Sequence, residues 1–269
     1  MSDESGTIAA VSRNGAYTFT KPNRDEIVLV AGLGVEGDVH AGVHVRHRHR
    51  VKVDPTQPNL RQVHLIQAEL FDEVADKGFE VPAGGLGENV TTRGLDLLGM
   101  SPGTILRFGP PGGVGNGGPG SSSVGTGAAG SKGVADGAAG PPGVADGDAG
   151  SGGGSDGRVA LAGVLAAAEA ATLDEATARA AAAVAAAAGR DAGDDPRPAV
   201  VLAGLRNPCV QINGYQTGLL KEVLAQDADG NVVRKAGVMA VVLRGGVIRP
   251  GDPVVVEPPP GSPVPLERV

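Results

Sequence analysis

Between Pro110 and Gly157 the chain has almost nothing to pack with: 19 of its 45 glycines fall in these 48 residues, and most of the others are Ala, Ser, Pro, Val or Asp. Such a stretch cannot bury enough side chain to offset the entropy of ordering it, so a disordered linker is expected. Gly-Val-Ala-Asp-Gly at 133–137 recurs at 143–147 as a short imperfect repeat. Residues 159–189 are dominated by alanine, with Glu169, Asp174, Glu175 and Arg179 interspersed. They predict one or two helices stopped at Gly189, weakly anchored because Ala offers little area to bury. The chain thus divides into one folded domain made of residues 1–109 and 199–257, an insert over 110–198, and a Pro-rich tail at 258–269.

The insert also explains the charge. The formal net charge is -7, but residues 110–199 hold 10 acidic and 5 basic side chains, which leaves -2 for the rest. No nucleic-acid or membrane partner follows from that balance. With 2% aromatic residues and no Trp, any core must be built from Val, Leu, Ile and Ala. Met1–Ala10 lacks a basic and apolar leader pattern, and no run is long and apolar enough to span a bilayer. A cytoplasmic protein is the expectation, and a single cysteine agrees with it.

Outside the insert the pattern is of short strands and turns. Ile27–Ala31, Val63–Ile66, Thr104–Phe108, Val200–Leu202, Val238–Leu243 and Pro253–Glu257 are brief β-rich runs bounded by Gly, Pro or Asn. Ile66, Leu70 and Val74 recur at helical spacing with Phe71 beside them, and Gly78 ends that helix. Asp229-Gly230-Asn231 predicts a tight turn between a helix and a strand. Many strands and few helices predict a mostly β (α+β), mostly antiparallel sheet or barrel.

Cys209, the only cysteine, follows the apolar run Val200-Val201-Leu202 in Leu205-Arg206-Asn207-Pro208-Cys209. A lone thiol packs as a small hydrophobe or acts as nucleophile, sulfur carrier or ligand. Pro208 suits a turn leaving a strand, and Arg206 puts a permanent positive charge within reach of a thiolate.

Four of the five histidines, His40, His44, His47 and His49, cluster within ten residues, which raises a zinc or iron site; neighbouring glycines and β-branched valines argue against the helix such a site would use. Read as a strand, Val43–Val53 places Arg46, Arg48, Arg50 and Lys52 on one face and Val45, His47, His49, Val51 and Val53 on the other. That cationic face suits an anionic ligand, or else a solvated edge strand guarded by charge. Gly32, Gly34 and Gly37 match the spacing of a dinucleotide fingerprint, but no helix opens after them, so they read as turns. Gly84-Gly85-Leu86-Gly87-Glu88-Asn89-Val90 is a second glycine-rich turn carrying an acid and an amide.

Taken in order, Phe19-Thr20-Lys21-Pro22, Gly34-Val35-Glu36-Gly37-Asp38-Val39-His40-Ala41-Gly42, the stretch Asn59 to Ile66, Gly87-Glu88-Asn89-Val90, Gly103-Thr104-Ile105-Leu106 and Leu205 to Cys209 resemble the MOSC domain, found at the carboxyl end of molybdenum cofactor sulfurases and as stand-alone bacterial proteins. The resemblance covers about residues 8–109 and 199–257, and the insert departs from the family's pattern. It implies a β-rich barrel, a molybdopterin-type molybdenum cofactor, and Cys209 as persulfide carrier or molybdenum ligand. Arg206, Asn207, Lys21, Asp38, His40, Arg46, Arg48, Glu88 and Asn89 become candidate cofactor-binding residues, with Arg50 beside them. A sulfur donor would be a separate cysteine desulfurase, with pyridoxal phosphate on that partner only, because no lysine site for it is visible here. Two alternatives remain. One is a molybdenum-dependent reductase module for N-hydroxylated substrates, served by a separate electron-transfer partner; the other is a non-catalytic binding or scaffold protein.

Overall fold

The protein is described here from a computed structural model, which covers residues 5–110, 153–191, 195–227 and 229–269. In chain order its elements are β1 (Ser5–Ser12), β2 (Asn23–Arg24), β3 (Ile27–Val30), β4 (Gly34–Val35), the short helix α1 (Arg48–Val53), β5 (Val63–Gln67), α2 (Glu69–Ala75), β6 (Val90–Arg93) and β7 (Ile105–Phe108). Two long helices follow, α3 (Gly153–Ala170) and α4 (Glu175–Arg190), then β8 (Ala199–Leu205), α5 (Gln211–Tyr215), α6 (Leu219–Val223), β9 (Leu224–Gln226), β10 (Val232–Arg234), β11 (Val238–Arg244), β12 (Gly246–Ile248) and β13 (Pro253–Glu257).

Seven strands, in the order β13-β7-β8-β11-β5-β6-β1, form a sheet that closes on itself through a β1–β13 pairing, and β2 extends β1 outside that ring. This is the mostly β barrel with a few helices that the strand pattern predicts. Neighbours pair antiparallel except β5 and β6, which are parallel. The interior takes alternate residues of each strand: Val63 and Leu65, Leu106 and Phe108, Val200 and Leu202, Val238, Ala240 and Val242. The intervening residues of β8 and β11, Ala199, Val201, Ala203, Met239, Val241 and Leu243, are buried as well. These strands therefore read as continuous apolar runs because both of their faces are covered.

What covers the outer face is the helical part of the insert. Ala180, Ala181, Val184 and Ala187 of α4, at helical spacing, and Val164 of α3 pack against Ile105, Val201, Val241 and Leu243. The alanine-rich helices are thus packed on the barrel, with small side chains of α4 against β8. At Gly32, which has φ 68°, an added Cβ would collide with the Leu161 and Ala160 backbone of α3. Polar ties reinforce the seat. Arg107 meets Asp191, just after α4, at 2.7 Å, and Arg190 donates to the Gly103 carbonyl at 2.6 Å. Val184→Ala is expected to cost about 2 kcal/mol in urea unfolding, because it empties a fully buried site between helix and barrel; a loss below about 0.5 kcal/mol would mean that the helices merely rest on the barrel.

Other expectations differ in detail. Most of the predicted linker, residues 111–152, lies outside the described residues, while residues 153–157 already belong to α3. The Pro-rich tail is also packed at its end: Leu266 and Val269 are buried, and the Leu205 amide donates to the Glu267 carbonyl at 2.7 Å. The turn at Asp229–Asn231 joins β9 to β10, two strands, since α6 runs directly into β9. Among the described residues no helix is long and apolar enough to cross a membrane.

Candidate functional site

β8 ends at Leu205 and its continuation turns into α5 at Cys209, whose carbonyl accepts the Ile212 amide at 3.0 Å. Buried Pro208 precedes the thiol, and the Arg206 amide is tied to the Gly237 carbonyl at 2.9 Å, so the loop is held on both sides. Cys209 is partly exposed and its sulfur donates to Gln211 Oε1 at 3.5 Å.

This sulfur lies on the wall of a cavity of about 740 Å³. Among the described residues, five cationic side chains line it, Lys21, Arg50, Arg61, Arg206 and Arg268, together with the side-chain carboxylate of Asp174. Arg206 reaches inward so that its Nη1 is buried without a hydrogen-bond partner. Burial depresses the Arg206 guanidinium, opposed by the charges of Cys209 and Glu88; burial also depresses Arg61, aided by Arg50 and Arg206. Crowded, desolvated cations with an unmet N–H are costly to hold together in a folded protein. His64, on the same wall, donates through Nε2 to the Ala236 carbonyl, 2.8 Å away, and burial with the nearby Arg206 charge holds its pKa well below the usual imidazole value. It is neutral at pH 7, with Nε2–H donating to that carbonyl.

Behind this wall Asp38 acts as a hub. Its carboxylate pairs with Lys21 Nζ at 2.7 Å, accepts the His40 amide at 3.0 Å and Asn89 Nδ2 at 3.0 Å, and meets His40 Nδ1 at 3.2 Å. Burial alone would raise the Asp38 pKa; the His40 hydrogen bonds and the Lys21 charge outweigh it and hold the carboxyl well below the usual carboxylate range. Lys21 is depressed by burial, with Asp38 opposing. Asn89 also donates to the Ser12 carbonyl at 3.1 Å and accepts the His64 amide at 3.2 Å, which links β1, β5 and β6 to the hub. Glu88 is fully buried in the glycine-rich turn, where it accepts the amides of Gly84 and Leu86 and the Thr91 hydroxyl; burial raises its pKa against those hydrogen bonds.

Of the residues singled out in the sequence, Lys21, His40, Asn89, Arg206, Asn207 and Cys209 line one cavity. Asp38 and Glu88 stand behind the lining and position it. Arg46 is exposed and off the cavity wall, its carbonyl accepting the Tyr17 hydroxyl at 3.0 Å. The side chain of Arg48 lies outside the described residues. The strand expected over Val43–Val53 is not formed: apart from a bridge between His44 and Pro58, the segment turns into α1. A strand needs a ladder, and Pro58 has no N–H to build one. The helix instead brings Arg50 to the cavity. Arg61 and His64, within the stretch Asn59 to Ile66, also line the cavity; the signal for them in the sequence is a basic side chain next to the apolar run of a strand. Asp174 and Arg268 come from the insert and the tail, and nothing local marks them. Among the described residues no group of three or more His, Cys, Asp or Glu side chains is arranged to hold a metal ion.

No family model matches the chain, and no curated protein sequence matches it. Its fold is similar to that of the YUAD protein from Bacillus subtilis, 16% identical, with 95% of this chain and 97% of that one covered at a TM-score of 0.52. The protein YiiM from Geobacillus stearothermophilus also aligns, 14% identical over 94% of this chain and 75% of that one, at a TM-score of 0.44.

Proposed function

We propose that this is a MOSC-type protein whose cavity holds an anionic, pterin-type molybdenum cofactor, with Cys209 supplying a sulfur at its wall. The observation that carries the reading is the convergence of five cations, one with a buried unmet N–H, on the cavity that Cys209 lines. Arg206, Arg61 and Lys21 suit the ligand's anionic oxygens through charge-assisted hydrogen bonds. A single thiolate suits a soft metal whose other ligands come with the cofactor. Such a cofactor supplies two-electron oxidation and reduction at its metal. The chain's own part is to bind the anion, keep His64 neutral and fixed, and present the Cys209 sulfur, either as a ligand or carrying a persulfide received from a separate desulfurase. The motifs running from Phe19 to Cys209 and the barrel itself support this assignment.

The test is metal and pterin analysis of protein expressed in cells that make molybdenum cofactor. Wild type is expected to carry molybdenum and a pterin together, and Cys209→Ser to lose at least about tenfold of the metal while keeping its thermal unfolding temperature. Wild-type protein free of both would overturn the reading. Intact mass after treatment with a cysteine desulfurase and cysteine separates the two sulfur roles: a carrier gains one reducible sulfur on Cys209, and a ligand gains none.

A further inference from the structure

Cys209 and Arg206 stand three residues apart in one loop and line one cavity. The sulfur is partly exposed and the next residue, Val210, lies open to solvent on the same wall, so a small solute can reach the thiol from outside. The cations around it differ in how they are engaged. Lys21 is already paired with Asp38 at 2.7 Å, whereas among the described residues no ion pair engages Arg206 or Arg61. Arg206 Nη1 is buried with no hydrogen-bond partner, on the cavity that holds the sulfur. The backbone that carries Arg61 is fixed: its amide donates to Asn59 Oδ1 at 3.2 Å, and Asn59 Nδ2 donates in turn to the carbonyls of His40 and Gly42 at 2.9 and 3.0 Å. A sulfur nucleophile thus shares its cavity with two guanidiniums that have no carboxylate of their own. Such a pairing suits an electrophile whose leaving group is a multi-oxygen anion.

We propose that Cys209 takes its sulfur directly from a small anionic sulfane donor of the thiosulfate class, with Arg206 and Arg61 holding the sulfonate oxygens. The Cys209 thiolate attacks the outer sulfur of thiosulfate. A new S–S bond forms, the old one breaks, and its electron pair leaves with sulfite, as in thiol–disulfide exchange. The cysteine is oxidised to a persulfide and the sulfonate sulfur is reduced, so no further oxidant or reductant enters. Guanidiniums that meet the incoming dianion also meet the charge that gathers on the departing sulfite. The inference deepens the sulfur-carrier role of Cys209 and rests on it, naming a donor that loads the thiol without a separate desulfurase.

The test uses the full chain, purified from cells that cannot make molybdenum cofactor so that the cavity is free, and an excess of thiosulfate. Wild type is expected to release one equivalent of sulfite and gain one sulfur that a thiol reductant removes, and Cys209→Ser to do neither. Arg206→Met should slow sulfite release at least about 30-fold, while its alkylation by neutral iodoacetamide and its unfolding temperature stay close to wild type. Relative to free cysteine, Cys209 should prefer anionic iodoacetate over iodoacetamide at low salt and lose that preference in high salt. Equal sulfite release by wild type and Arg206→Met overturns the part given to the guanidinium. Sulfur gained from a desulfurase but not from thiosulfate, with the iodoacetate preference intact, overturns the donor class and leaves the carrier and the anion site standing. No sulfite and no iodoacetate preference overturn the anion site, and this inference with it.

Discussion

Asp38→Asn is expected to lower the unfolding free energy by about 3–5 kcal/mol at pH 7, since it leaves Lys21 buried without its counter-charge. The side chains of the pair are 4% and 0% exposed, so water cannot take over the lost interaction. Asn also accepts less strongly from His40 and Asn89 than a carboxylate does. The pH dependence has a definite sign. Because the folded carboxyl titrates below its unfolded value of about 4, its contribution is fully present above that value and is lost as the pH falls through the folded pKa. Urea unfolding at pH 7 and again in acid should therefore show the gap between wild type and variant narrowing on acidification. Adding Lys21→Met to the Asn variant should restore part of the loss by removing the stranded charge. A single variant as stable as wild type at pH 7 would show that Lys21 finds another partner or gives up its proton at little cost.

Arg206→Met is expected to reverse the usual relation between core and stability. It should leave unfolding unchanged or raise it by about 1 kcal/mol, because a buried guanidinium with an unmet N–H is replaced by a flexible apolar chain of similar length. Anion affinity, read with fructose 6-phosphate, should fall at least about 30-fold, or 2 kcal/mol, through loss of a charge-assisted contact in a desolvated place. The backbone tie from Arg206 to Gly237 needs no side chain and survives. A large drop in stability would show instead that the guanidinium braces the loop before Cys209.

The barrel was legible in the chain because its strands are short, apolar and punctuated, and β8 and β11 betray two buried faces by apolar runs broken only by Gly204 in β8 and by Arg244 at the end of β11. β1 escaped notice: Ser5–Ser12 mixes small and polar residues, and its place is decided by partners as distant as Val255. The cysteine loop could be read because Arg, Pro and Cys follow a strand in sequence. Arg46 and Arg48 drew attention as a cationic row only under an extended geometry, which the absence of a ladder partner overrules in favour of α1 and Arg50. Asp174 and Arg268 were beyond reach, since their role arises from tertiary packing of an alanine-rich hairpin and a tail whose compositions suggest neither.

The closure of the barrel has a kinetic side. Its seam pairs Ser5 with Val255, and β7 lies beside β8 although the whole insert separates them in sequence. Contacts of such long range must wait for slow loop closure, so refolding belongs to the slow end of single-domain behaviour. α3 and α4, by contrast, contact one another locally and can form early. Once docked through Val184, they shorten the path between β7 and β8, so the segment that looks like an interruption of the fold helps to bring its two halves together.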